Sequence, residues 1–160
     1  MRIKIGLGYD IHRLEKNGEF IVIAGVKIPY HKMFIAHSDG DVLIHAIIDS
    51  ILGAMGEKDI GSHFPDNDSK YKDIDSMILL EETVKIMNNK KYEITNLDCT
   101  IVAEEPKINP YIDKMKKNLS AALKISEENI SIKAKTNEKI GEIGKGEAIK
   151  AYAIVLLKGD

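Results

Sequence analysis

The chain has 160 residues, with 23 Lys and Arg against 25 Asp and Glu and a formal net charge of -2. With 44% apolar and 30% charged residues, it suits one globular domain spanning residues 1–160, neither disordered nor fibrous. Near-neutral charge and 6% aromatic content leave no footprint for nucleic acid, and the lone Cys99 excludes an internal disulfide or a multi-thiolate zinc site.

The first residues alternate (Arg2, Ile3, Lys4, Ile5), which predicts a strand rather than a signal peptide's apolar block. Phe20 to Ile28 is rich in β-branched residues, broken at Ala24-Gly25, and reads as a second strand. Leu43, Ile47, Ile48, Ile51, Leu52 and Met55 recur at helical spacing, with Asp39 or Asp41 as the cap. Gly56 to about Asp73 reads as a loop, and Met77, Leu80, Val84 and Met87 mark a second helix. Leu97, Cys99 and Ile101 alternate as a strand. Asn109-Pro110 then opens a third helix carrying Ile112, Met115, Leu119 and Leu123. Ile130 to Ala134 alternates again, and a glycine-rich loop (Gly141, Gly144, Gly146) leads to a closing strand, Ala148 to Leu157. The order β-β-α-α-β-α-β-β predicts an α/β protein of α+β type, two-layered, with helices on one face of a mixed sheet. No apolar run approaches the ~20 residues of a membrane helix, so the expected location is cytoplasmic, with no membrane partner.

Two segments carry chemistry. Gly8-Tyr9-Asp10-Ile11-His12 lies at the end of the first predicted strand, where residues two apart point the same way, so Asp10 and His12 can converge. His37-Ser38-Asp39-Gly40-Asp41 leads into a helix whose first turn carries His45. Asp, His and His form a sensible zinc triad with an open fourth position, as catalytic sites have. On spacing alone a turn and a buried histidine explain the same residues, because short motifs match often by chance. Gly6-x-Gly8 is not a dinucleotide fingerprint, and no P-loop lysine pattern occurs. Asp39 and Asp41 read as caps rather than ligands, and Asp49 as a residue of a solvated helix face.

Taken together, Gly8-Tyr9-Asp10-Ile11-His12 and Ala36-His37-Ser38-Asp39-Gly40-Asp41-Val42-x-x-His45 closely resemble the 2-C-methyl-D-erythritol 2,4-cyclodiphosphate synthase family. Asp59-Ile60-Gly61, Phe64-Pro65-Asp66, Ala103-x-x-Pro106-Lys107 and Lys133-Ala134-x-Thr136-x-Glu138-Lys139 complete the likeness in the family's order, from residue 6 to residue 147. The resemblance implies an enzyme of the non-mevalonate isoprenoid route. It would convert 4-diphosphocytidyl-2-C-methyl-D-erythritol 2-phosphate to the 2,4-cyclodiphosphate and release CMP. It further implies a homotrimer with active sites between subunits, in the stand-alone form without a fused cytidylyltransferase.

Carried over residue by residue, Asp10, His12 and His45 would hold zinc, one ion per subunit. His37 and Thr136 would orient the substrate and stabilise the transition state, and Glu138 would hold magnesium or manganese on the diphosphate. Substrate contacts would come from Asp10, Ile11, His12, His37 and Ser38, then from Asp59, Ile60 and Gly61 near the erythritol. Phe64, Pro65, Asp66, Asn67 and Asp68 would close over it. Ala103, Pro106 and Lys107 would meet the cytidine, with Lys107 a cation near a phosphate or the ribose; Thr136 and Glu138 would act at the diphosphate, and Asn137 and Lys145 would be further substrate-binding residues. Side chains of Glu104 and Glu105 read as facing water. Glu142 stands where many members have an aromatic residue, and Lys145 where they have Arg. A glutamate there disfavours the apolar tail of a prenyl diphosphate in the trimer-axis cavity. Two other readings of the residues are a zinc phosphodiesterase or other hydrolase using the same triad, and a non-catalytic isoprenoid-binding sensor.

Overall fold

The computed structural model describes residues 1–65 and 67–159. In chain order the elements are β1 (Arg2–Lys16), β2 (Phe20–Ile23), β3 (Val26–Pro29), β4 (Lys32–Phe34), α1 (Val42–Met55), α2 (Ile60–His63) and α3 (Ser76–Asn89). There follow β5 (Tyr92–Val102), α4 (Ile112–Leu123), β6 (Ile130–Lys135), α5 (Gly141–Gly144) and β7 (Ala148–Gly159). Five strands form a mixed sheet in the order β4-β1-β7-β5-β6, parallel only between β5 and β6; β2 and β3 form a separate hairpin. An α+β protein with a mixed sheet was expected. Four details differ. The second predicted strand is a hairpin folded at Ala24-Gly25; short helices interrupt the loops at 60–63 and 141–144; β4 adds an edge strand; and β1 runs on to Lys16.

Residues Asp10 and His12 therefore lie inside a long strand, paired with Ala151 and Ile149 of β7. Strand interiors hold their side chains in a fixed direction, which a strand end does not. Alternation along β1 turns Gly6, Gly8, Asp10, His12 and Leu14 toward the helices and Ile3, Ile5, Leu7, Tyr9 and Ile11 away.

Helices α1, α3 and α4 cover one face, against β1 and β7, β5, and β6 respectively. The short α5 departs from that layout: Ile143 packs with Val102 and Ala148 in a small separate cluster. Helix α1 is the core. Its Leu43, Ile44, Ile47, Ile48, Ile51 and Leu52 are fully buried, each burial contributing about 1.5–3 kcal/mol relative to exposure.

The approach of α1 to the sheet depends on two glycines. A Cβ on Gly8 would lie 1.8 Å from the Ala46 carbonyl oxygen, and one on Gly6 1.9 Å from that of Ser50. No other residue fits beneath the helix at these points. Asp41 locks the start of α1: its carboxylate accepts N–H bonds from Ile44, Ala24 and Gly25, at 3.1, 2.9 and 2.8 Å. It thus caps the helix and binds the hairpin turn to it.

Gly8→Ala should cost about 3 kcal/mol or more of stability in urea unfolding, because backbone on both sides must move. Gly53→Ala, with open space around its Cβ in the same helix, should instead stabilise by about 0.5–1 kcal/mol. Equal effects of the two substitutions would contradict the close-packing account.

Candidate active site and metal centre

The two faces that α1 and β1 press together carry the titratable cluster. Asp10 and His12 stand two residues apart on β1, and His45 reaches down from the first turn of α1. Asp10 Oδ2 lies 3.0 Å from His45 Nδ1 and 3.2 Å from His12 Nδ1. One donor atom from each of the three falls within 4.8 Å of the others, and all three residues are partly buried. Two imidazoles and a carboxylate are a donor set for a divalent transition metal, with room for a further ligand. Phe34 meets the His12 ring edge-on at 5.8 Å, and His12 meets the His45 ring at 5.1 Å.

A cavity of about 350 Å³ opens in front of this cluster, lined in addition by His37, Ser38, Ile60, Gly61 and Phe64. Ser38 Oγ approaches His45 Nε2 at 3.2 Å. Asp59 caps α2 through the Ser62 N–H and hydroxyl, presenting the Ile60-Gly61 backbone to the cavity. Phe64 is buried against Tyr71, so it walls the site. Asn67 and Asp68 border an adjoining recess with His37, and Asp68 also caps a short 3-10 turn at Ser69–Tyr71. Asp66 lies outside the described residues. Ile11 sits between two metal-site residues on the strand, so its side chain points to the opposite face and only its main chain serves the cavity.

The remaining expected site residues gather elsewhere. Ala103, Pro106, Lys107 and Thr136 line a second cavity of about 260 Å³. Thr136 Oγ1 and the Glu138 carboxylate lie 3.4 Å apart, in a turn where Glu138 and Lys139 both have positive φ. Paired positions run across the sheet from Asp10 to Ala151, Ile101 and Ala134. Three strand spacings separate the two clusters, about 14 Å. Lys145 ends α5 and lines neither cavity.

Four residues important to this geometry were not expected. Glu104, read as facing water, accepts N–H bonds from Asn137 (2.7 Å) and Lys139 (3.2 Å) and so anchors the Thr136–Glu138 turn. Asp49, read as solvated, is half-buried and accepts the Ile60 N–H at 2.7 Å. Asp39 and Ser76 bond to each other beneath His45. All four act across loops, so no local spacing signals them.

Fold and site together define an α+β protein with a His/Asp centre able to hold a metal at the mouth of an open cavity. Its sequence matches the YgbB family over residues 3–158. The 2-C-methyl-D-erythritol 2,4-cyclodiphosphate synthase of Brachyspira hyodysenteriae is 56% identical over 156 residues, 98% of each chain. That of Caldicellulosiruptor bescii is 49% identical, covering 96% of this chain and 98% of its own. Among solved structures, IspF of Plasmodium falciparum in a CDP complex superposes with a TM-score of 0.87 at 41% identity, covering 99% of this chain and 97% of that one. The bifunctional IspDF of Campylobacter jejuni gives 0.94 at 38% identity, over 99% of this chain and 43% of that one. The chain belongs to the YgbB family, and its activity is 2-C-methyl-D-erythritol 2,4-cyclodiphosphate synthesis in the non-mevalonate isoprenoid pathway.

At this triad, protons would compete with a metal. Burial disfavours a charged His45, but the hydrogen bond and charge of Asp10 outweigh it and raise its pKa above the ordinary 6.5. In the metal-free protein this pair's stabilisation is complete below the unfolded value and is lost as pH rises through the raised one. Asp41, pushed up to about 7 by burial, acts in the same direction at lower pH. A bound metal needs neutral imidazoles, which reverses the sign. The melting temperature of the metal-free protein should thus fall from about pH 6 to pH 9, while that of the metal-loaded protein rises from about pH 5 to pH 7.5. A metal-free melting temperature that climbs with pH would contradict the Asp10–His45 assignment.

Proposed function

We propose that Asp10, His12 and His45 hold one zinc ion per subunit and that Glu138 takes a magnesium or manganese ion on the substrate diphosphate. The reaction joins an oxygen of the 2-phosphate to the β-phosphorus and breaks the bridge to the α-phosphate, so CMP leaves. The attacking group is already an anion and the leaving group is a phosphate monoester, so neither a strong base nor a strong acid is needed. Repulsion between anions and the entropy of closing an eight-membered ring oppose the step; position and positive charge favour it. A divalent cation on the triad supplies Lewis-acid polarisation of a phosphoryl oxygen. The chain's own side chains do the rest. His37 and Ser38 border the cavity where the phosphates fold together, and Thr136 holds the diphosphate from the other cluster. The Ile60-Gly61 backbone faces the erythritol, with Pro65, Asn67 and Asp68 beside it. Ala103, Pro106 and Lys107 line the cavity that receives the cytidine, in keeping with a relative that forms a CDP complex. Asn137 stands in the same turn between Thr136 and Glu138, whereas Lys145 lines neither cavity and is given no part in the substrate contacts.

The geometry that carries this reading is the placement of the two clusters on β1 and β6, three strand spacings or about 14 Å apart in the sheet. One diphosphate cannot reach both within a single chain. A trimer whose subunits each contribute one cluster to a shared site resolves the mismatch. The sheet offers a surface for it: Ile3, Ile5 and Leu7 are 60%, 71% and 67% exposed, beside Tyr9, Ile11, Tyr152 and Ile154. So broad an apolar face marks an association surface. Residues 1–160 act as one domain. No helix among the described residues is long and apolar enough to cross a membrane, and the substrate is a water-soluble polyanion, which favours a cytoplasmic location. Glu142 and Glu147 share a cavity with Arg13; two carboxylates there disfavour an apolar prenyl tail.

Subunit mixing tests the shared site. His45→Ala and Glu138→Ala should each be inactive alone. Refolded together at equal ratio, they should regain about a quarter of native CMP release, the fraction of interfaces that combine two intact halves. Recovery of no activity from demonstrably mixed trimers would mean that both clusters of a site belong to one chain.

A further inference from the structure

Beneath His45, on the side away from Asp10 and His12, lies a short chain of buried polar groups. The His45 Nε2 atom is 2.9 Å from Ser76 Oγ. Ser76, the first residue of α3, is fully buried. Its hydroxyl donates to Asp39 Oδ1, and its N–H donates to Asp39 Oδ2 at 3.1 Å. The Asp41 N–H also donates to Asp39 Oδ1, at 3.1 Å. Asp39 is thus an acceptor for three donors, and its carboxylate fixes where the single Ser76 proton points.

A hydroxyl that has given its one proton to a carboxylate can only accept from a third group. Ser76 Oγ must therefore receive a proton from His45 Nε2. Ser38 Oγ, 3.2 Å from the same nitrogen and accepting the Gly40 N–H at 3.3 Å, offers that proton a second, weaker acceptor. A neutral imidazole carries one ring proton, so the lone pair falls on Nδ1, the atom that faces Asp10 at 3.0 Å.

We infer that Ser76, oriented by Asp39, is a positioning residue that fixes the His45 tautomer and ring direction, so that Nδ1 is the metal-ligating atom. This rests on the reading of Asp10, His12 and His45 as metal ligands. It assigns a role to two residues that touch neither metal nor substrate. The arrangement also ties α3 to the site: the start of that helix is held to the loop before α1 by the same Asp39 carboxylate that aims His45. Hydrogen bonds to the outer nitrogen of a ligating histidine commonly govern metal affinity by 10–100-fold.

The test is a ring-nitrogen NMR measurement on zinc-loaded, ¹⁵N-histidine-labelled wild-type protein, with zinc affinity of wild type and Ser76→Ala by competition with a chelator. The His45 Nε2 should show the shift and one-bond coupling of a protonated nitrogen, and Nδ1 that of a metal-bound one. The Ser76→Ala variant, checked for native far-UV circular dichroism, should bind zinc about 10–100-fold more weakly. If that variant does not fold, the wild-type resonances decide alone. Zinc bound through Nε2, or equal affinity in a folded Ser76→Ala, would overturn the relay while leaving the metal site standing. Failure of the wild type to bind zinc at all would overturn the metal reading itself.

Discussion

The contact on which the rest of the structure depends is the seating of α1 directly on β1. Four helical residues advance about 6 Å, and two strand residues about 6.6 Å. The pairs Ala46 over Gly8 and Ser50 over Gly6 therefore keep step along both elements. Extended by one repeat, the same register sets Asp10 opposite the first turn of the helix, where His45 projects. The helix cannot approach so closely over any side chain larger than hydrogen. The triad is thus a product of backbone packing more than of local motif. The two glycines that do not make a dinucleotide fingerprint make the metal site.

The second constraint is electrostatic. A chain of net charge -2 gathers Asp10, Asp39, Asp41 and Asp49 around one helix, yet most of these carboxylates already have dedicated donors. Asp41 takes three backbone N–H groups, Asp49 takes that of Ile60, and Asp39 takes Ser76 twice. Asp10 faces the two imidazoles instead. Structural acids hold the loops, and the remaining one is turned to the cavity. Such a site does not attract a polyanion by its own field, and a cation held at Asp10, His12 and His45 would supply the charge that the protein lacks.

Much of this was legible in the sequence. The helical spacing of Leu43 to Met55 gave α1, and Asp41 as its cap is what the structure contains. The order of the motifs gave the family. The true length of β1 was not legible, because only residues 2–5 alternate charged with apolar side chains. Beyond them the inner face is glycine, aspartate and histidine, which no strand pattern anticipates. Nor could the hairpin at Ala24-Gly25 be separated from one strand, since both halves are β-branched and its turn is held from outside by Asp41. Glu104, Asp49 and Ser76 act over 33, 11 and 31 residues. Each was invisible for that reason: an exposed-looking polar residue becomes a positioning group only when the fold brings a distant backbone N–H or ring nitrogen to it.

Helix α1 and strand β1 together bring two imidazoles and one carboxylate within reach of a single metal ion. Zinc-edge X-ray absorption of the loaded protein tests it most directly. The account predicts one zinc per chain, with nitrogen and oxygen neighbours at about 2.0–2.1 Å and the outer-shell scattering of two imidazole rings. A sulfur neighbour at about 2.3 Å, or an oxygen-only shell with no imidazole signature, would contradict it.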